Sequence, residues 1–299
     1  MRQYLVAVDV GTGSARAGVF DRHGAMLSRA THPILMQRPR ENHAEHDSEN
    51  IWKAVCLSVR SAMADAAINP ARVAAIGFDA TCSLVARGNS GEQVSVSTTG
   101  EDRFDTVVWL DHRAINEADF LTASHHPVLD FAGGSISPEM QIPKLMWLKK
   151  HLPQSWSRAA YFFDLADFLT WKASGSAARS NCTLTAKWNF LAHEQQGWRN
   201  DYLELAGIGD LKERAALPAS TVAPGQAVGT LSAKAADELG LDTQCRVATG
   251  MIDAYAGALG ALGGSLDNHV ENNVALIAGT SSCLVAITPN RMHGRSLWG

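Results

Sequence analysis

The chain has 299 residues, enough for two compact domains, and its 46% hydrophobic and 19% charged composition is that of an ordinary globular protein. Its 26 basic and 30 acidic residues give a net charge of −4, with neither sign gathered into a track for a phosphate backbone, so nucleic acid is not an expected partner. No apolar run is long enough to span a bilayer, the first residues enter a strand pattern at once, and the five cysteines (56, 82, 182, 245, 283) are odd in number and lack C-x-x-C spacing; a cytoplasmic setting with reduced thiols and no disulfide or zinc framework is expected.

From Gln3 to Val10 the residues are apolar and β-branched, Gly11-Thr12-Gly13-Ser14 forms a turn, and a second strand runs to Phe20. After a further turn at Arg22-His23-Gly24, Ala25 to Thr31 supplies a third antiparallel strand. The segment Asn42 to Asp47 concentrates metal-capable side chains, but no distant third ligand is evident, and a polar loop is expected there. Asp47-Ser48 offers capping oxygens to an amphipathic helix whose Ile51, Val55, Val59, Ala62, Met63 and Ala66 recur at helical spacing, stopped at Asn69-Pro70.

Val73 to Phe78 and Thr106 to Leu110 read as inner strands ending at Asp79 and Asp111, and the Gly/Ser/Thr-rich stretch from Arg87 to Gly100 between them reads as a hairpin tip or mobile loop. Pro138 to Lys150 and Asp164 to Lys172 are helical, with their Trp, Phe and Leu side chains taken as core. A Pro/Gly loop covers Ser220 to Gly229, a strand from Arg246 to Thr249 enters Gly250-Met251-Ile252-Asp253, and a helix of small residues follows from Ala254 to Leu262. Val274 to Ala278, Gly279-Thr280-Ser281-Ser282 and Cys283 to Thr288 then repeat the strand, turn and strand of the first twenty residues.

Three constellations can carry chemistry. In Asp9-Val10-Gly11-Thr12-Gly13-Ser14-Ala15-Arg16, glycines give phosphate oxygens access to backbone N–H groups, Thr12 and Ser14 add hydroxyl donors, Arg16 adds charge, and Asp9 can hold a magnesium shell. It is not a Walker A loop, and it lacks the third glycine and following helix of a dinucleotide fold, which counts against an oxidoreductase. Asp253, where a strand meets a helix, is by local pattern an N-cap; with a hydroxyl substrate it can serve as a general base. Asp79, Thr81 and Cys82 after one strand, Trp109, Asp111 and Arg113 after another, and Lys187 beside Trp188 combine apolar ring faces with dense hydrogen-bonding groups, as a sugar requires; each taken singly reads as core, surface ion pair or solvated charge.

In these motifs the chain resembles the FGGY carbohydrate kinases, of the sugar kinase, Hsp70 and actin superfamily. Asp9 to Arg16 matches the family's first phosphate hairpin, Gly279, Thr280 and Ser281 look like its counterpart, and Gly250 to Gly260 matches the G-x-x-D-[AN]-x-x-x-x-x-G segment. Phe78 to Ser83 and Trp109-Leu110-Asp111-His112-Arg113 are similar to the sugar loops, and Ala186-Lys187-Trp188 to the sugar-binding lysine region of ribulokinases.

The resemblance implies an α/β fold of ribonuclease-H-like domains, each a mixed sheet flanked by helices: residues 1–264 as the sugar-binding and catalytic-base domain, and 265–299 as the opening hairpin of an ATP-binding domain. It implies ATP and Mg²⁺ as cofactors, Asp253 as base, and D-ribulose as first choice of acceptor, with L-ribulose, D-xylulose and polyols as alternatives. A truncated gene product or excised domain, poorly active alone, is the expectation for a chain with one complete domain. A homodimer stays open, and the rival reading is a non-catalytic actin-like or sugar-binding module.

Overall fold

The computed structural model describes residues 2–263, 269–278, 282–290, 292 and 294–298. The alternation of the opening segment produces β1 (Tyr4–Val10), whose Val6, Val8 and Val10 are buried while Leu5 and Ala7 face outward. β2 (Ser14–Asp21) and β3 (Met26–Pro33) follow as an antiparallel meander. Two short strands, β4 (Met36–Gln37) and β5 (Glu45–His46), precede α1 (Ser48–Ala66). The Asp47 carboxylate caps α1 by accepting from the Glu49 and Asn50 amides, and Ala67 in the left-handed region ends it just before Asn69-Pro70.

The chain continues through β6 (Val73–Ala80), β7 (Leu84–Arg87), β8 (Thr106–Val107), α2 (Ile115–Ala123), α3 (Gln141–His151), α4 (Pro153–Arg158), β9 (Tyr161–Asp164) and α5 (Leu165–Ser174). Then come α6 (Asn181–Lys187), α7 (Asn200–Leu205), α8 (Leu211–Arg214), β10 (Ala227–Thr230), α9 (Ala233–Leu239), β11 (Arg246–Ala248), β12 (Met251–Ile252), α10 (Asp253–Leu262), β13 (Val274–Ala278) and β14 (Ser282–Ala286).

The main sheet has the order β10-β11-β6-β1-β2-β3, with β12 also paired to β6. Strands β1, β6, β11 and β12 are parallel, and β2 and β10 run against them. One face is covered by α1, α9 and α5, whose Val55, Val59, Leu239, Phe168 and Leu169 join the valines of β1 in a single core. The second sheet, β4-β5-β8-β7-β9, is buried on both sides: Val85 packs into that first core, while Leu84 and Ala86 pack into another built from α2, α3, α4, α6, α7 and α8. The mixed sheet with flanking helices agrees with the expected fold.

Three local expectations are refined or corrected. Of the two readings of Arg87 to Gly100, the hairpin tip holds at its start, where the chain turns at Gly88 to Gly91 and Arg87 and Gln93 pair antiparallel; the mobile loop does not, since Val94 to Ser97 are buried and the Val94 and Val96 amides donate to Ala86 and Phe104 carbonyls. The segment at 42–47 is not a polar loop, since Glu45 and His46 form a strand that pairs with β8 and is fully covered. Thr106 to Leu110 yields only the two residues of β8, because Asp111 and its neighbours turn into a buried ion-pair network instead of extending the strand. Three of the cysteines are buried, Cys182 is half-buried and Cys283 exposed, and all are unbridged.

Candidate active site

The period-two geometry of a strand decides where the first acids point. In β1, Val8 and Val10 enter the helix-covered core, so Asp9 between them faces the opposite side of the sheet. The same argument applies to Arg16 between the buried Ala15 and Ala17, and to Asp79 between Phe78 and Ala80. Register then makes them neighbours: Asp9 lies beside Arg16 on one side and Asp79 on the other, and Asp79 lies beside Met251, two residues before Asp253. The carboxyl ends of three adjacent parallel strands thus present Asp9, Asp79 and Asp253 on one edge.

Charge is unevenly met there. Asp9 Oδ2 accepts from Arg16 Nη1 at 2.6 Å. Among the described residues Asp79 has no such partner; burial, and then the Asp9 and Asp253 carboxylates, push its carboxyl up to about 8. Asp253 is likewise raised, chiefly by burial, against the pull of the Ala254 amide that donates to its Oδ1 at 2.7 Å. Asp253 is not an N-cap: it is the first residue of α10, and Ile252 occupies the cap position.

The turn above the acids is tied by Gly11 N–H to the Ser14 carbonyl (3.0 Å) and by Ile34 N–H to the Gly13 carbonyl (2.9 Å). A β-carbon at Gly13 would meet nothing within 4 Å, so the space over the turn is open. Neither Gly11 nor Gly13 takes a positive φ, and their value is access to the backbone and not conformational freedom. The Trp109 indole N–H donates to Thr12 Oγ1 at 2.9 Å, which joins the second sheet to the turn. The Trp109 amide donates to Ser83 Oγ, and the buried Lys144 ammonium donates to the Val108 and Trp109 carbonyls at 3.1 and 3.0 Å. Burial brings Lys144 down to about 8. Nothing in the sequence marks it except a lysine within an apolar helix, and it was missed among the core residues of Pro138 to Lys150.

Cys82 and Lys187 complete the near side. Cys82 is buried, its thiol raised by burial, with Lys187 and Asp253 among the charges that act on it. Lys187 closes α6; burial pulls its ammonium down, but Cys82, Glu139 and Asp164 around it more than offset this and hold it above the ordinary range. Thr81 is buried and spends itself on structure, its amide on the Val10 carbonyl (3.0 Å) and its hydroxyl against Ser83 Oγ (3.3 Å).

Asp111 and Arg113 are paired with each other inside the protein. Arg113 is clamped by both Asp111 oxygens (2.9 and 2.8 Å), Glu45 Oε1 (2.9 Å) and the Val96 carbonyl (2.7 Å), over the Trp147 ring. Asp111 also accepts from the Ala44 amide at 2.6 Å. Most of their donors and acceptors are engaged within the protein, which makes the pair part of the scaffold around the Trp109 loop; their expected sugar contacts stand as a proposal. Gly279, Thr280 and Ser281 lie outside the described residues.

Magnesium suits this edge only in part. Among the described residues no group of three His, Cys, Asp or Glu is disposed to hold a metal. The uncompensated acids beside Asp9 do suit an ion that keeps most of its water and takes one or two carboxylates together with phosphate oxygens.

Comparison with known proteins places the chain in a family. Residues 4–260 match the family model described as the N-terminal domain of the FGGY family of carbohydrate kinases. The chain is 38% identical to the human FGGY carbohydrate kinase domain-containing protein, covering 99% of this chain and 55% of that one. It is 36% identical to the D-ribulokinase YDR109C of Saccharomyces cerevisiae, covering 99% and 46%. Among solved structures, a gluconate kinase and a xylulose kinase from Lactobacillus acidophilus superpose with TM-scores of 0.78 and 0.77, each at 20% identity over 94% of this chain and 53% of theirs, which establishes a shared fold. The chain spans about half the length of the curated relatives it matches. With an acid-edged mixed sheet, a hydroxyl-bearing glycine turn and a family match over most of its length, this chain belongs to the FGGY family of carbohydrate kinases.

Proposed function

We propose that the site takes part in transfer of the γ-phosphoryl group of ATP to a terminal hydroxyl of a pentulose, D-ribulose first. The observation that carries the reading is the convergence of Asp9, Asp79 and Asp253 at the ends of neighbouring strands below an open, donor-rich turn. Asp253, held at the start of α10, accepts the proton of the attacking hydroxyl; burial raises its affinity for that proton, which suits a base of this kind. The turn from Gly11 to Ser14 and the Arg16 guanidinium receive phosphate oxygens, and Gly279, Thr280 and Ser281 are proposed as the facing turn. Asp9 would hold magnesium, whose contribution is to neutralise phosphate charge. Lys187 donates to sugar oxygens, and Trp109 and Cys82 bound the sugar's carbon chain.

Residues 1–264 are proposed as the sugar-binding and catalytic-base domain and 265–299 as the opening of the nucleotide-binding one. Support for a pentulose comes from the D-ribulokinase of yeast among the relatives; xylulose and glycerol kinases among the similar proteins keep L-ribulose, D-xylulose and polyols as second choices. The test is a coupled ADP-release assay on the full-length protein with D-ribulose, L-ribulose, D-xylulose and glycerol. D-ribulose is expected to give the highest kcat/KM, and Asp253→Asn to lower kcat by about 10²–10⁴ with sugar binding kept. An active Asp253→Asn enzyme, or no turnover of any pentulose, contradicts the reading.

A further inference from the structure

Lys187 is half-buried, and among the described residues its ammonium has no hydrogen-bond acceptor and no ion-pair partner; it lies against the Trp298 ring, whose centroid is 5.0 Å from Nζ. The ammonium keeps access to solvent, so its three donors are free to take the oxygens of a ligand. Trp298 reaches it from a segment more than one hundred residues away in sequence, and two features of the receiving surface fit that segment. The Ser296 amide donates to the Gly133 carbonyl at 3.0 Å, and Ala132 and Trp298 form an antiparallel bridge. Gly133 has φ +70, and a β-carbon there would stand 3.1 Å from the Ser296 backbone and 3.2 Å from Trp298 Cδ1. The groove is therefore shaped for a close backbone approach, and the strap from 294 to 298 sits in it. Trp298 is 44% exposed as a residue, so it is not closed off beside the unpaired ammonium.

We infer that Trp298 is a substrate-binding residue: its face covers the C–H side of an open-chain polyhydroxy substrate while Lys187 donates to that substrate's oxygens. The inference rests on the carbohydrate-kinase reading above. An aromatic face with a neighbouring strong donor matches the two-sided character of such molecules, apolar along the carbon chain and polar at each hydroxyl. The strap thereby contributes a wall to a site otherwise made by the β1, β6, β12 and α6 ends, and fixes how much room lies above Lys187.

The test follows reductive methylation of Lys187 by peptide mass spectrometry on the 299-residue chain, with and without D-ribulose, D-xylulose or glycerol, and with thermal melting to verify folding of each variant. D-ribulose is expected to slow Lys187 labelling in the unaltered chain. Trp298→Ala is expected to raise labelling without sugar and to weaken D-ribulose protection by about tenfold, with Trp298→Phe restoring most of it. Gly133→Ala, which carries no sugar contact, is expected to imitate Trp298→Ala by displacing the strap. Protection and labelling unchanged in Trp298→Ala overturn the role of Trp298 alone. No protection by any of the three compounds in the unaltered chain, while Trp298→Ala still speeds labelling, overturns the carbohydrate reading of the pocket and the inference with it.

Discussion

Asp79 shows most clearly how one side chain depends on its surroundings. Its carboxyl is pushed up to about 8 by burial and by Asp9 and Asp253, against an ordinary value of 3.8, so the folded protein holds a proton that the unfolded chain has released. Its contribution to stability is complete below 3.8 and is lost as pH rises through about 8. Asp79→Asn should therefore melt at nearly the same temperature as the unaltered protein in acid and a few degrees higher above pH 8, as read by differential scanning calorimetry across that range. Parallel curves at every pH would show that the carboxyl is not strained. Arg113 is the opposite case, a charge whose donors are met on every side by Asp111, Glu45 and Val96. Arg113→Met leaves two buried carboxylates facing one another and should cost about 3–5 kcal/mol in urea denaturation.

Elements are placed by a few close approaches. Gly250, between β11 and β12, passes the start of α5 so tightly that a β-carbon would lie 2.9 Å from the Ala166 carbonyl oxygen and 3.0 Å from the Ala166 β-carbon. That contact sets where β12 ends and so where Asp253 stands, three residues later. Gly250→Ala should cost about 1–3 kcal/mol by overpacking and lower turnover of the full-length enzyme together with stability; an unchanged melting temperature would place the backbone elsewhere. Local pattern was a good guide to such elements where the cause is local. The valine alternation of β1 and the Asp47 cap of α1 stand where periodicity and capping put them, and the small-residue helix α10 starts one residue earlier than its pattern, at Asp253. It failed at Glu45 and His46, whose polar side chains read as solvent-facing but are covered because β8 pairs with them across sixty residues of sequence.

At the scale of the molecule, order is uneven. The two large cores enclose both main sheets, whereas β13 and β14 rest on Ala258, Leu262 and Ala275 and leave Val274, Leu276 and Leu284 more than half exposed. Amide hydrogens of β13 and β14 should exchange well before those of β1 and β6 in a pulse-labelling experiment; equal protection would mean that the hairpin shares the main cooperative unit. Among the described residues no helix is long and apolar enough to cross a membrane.

Sequence by itself determined the opening hairpin, the strand-to-helix acid at 253 and the family, because each is written in contiguous residues whose spacing and chemistry act locally. Only the tertiary structure decided that Asp111 and Arg113 neutralise each other inside the protein, that Lys144 holds the Trp109 loop, and that Trp298 lies over Lys187. Those outcomes depend on which groups distant strands and loops bring within a few ångströms, where a charge is either satisfied by the protein or left for a ligand, and spacing along the chain carries no record of that.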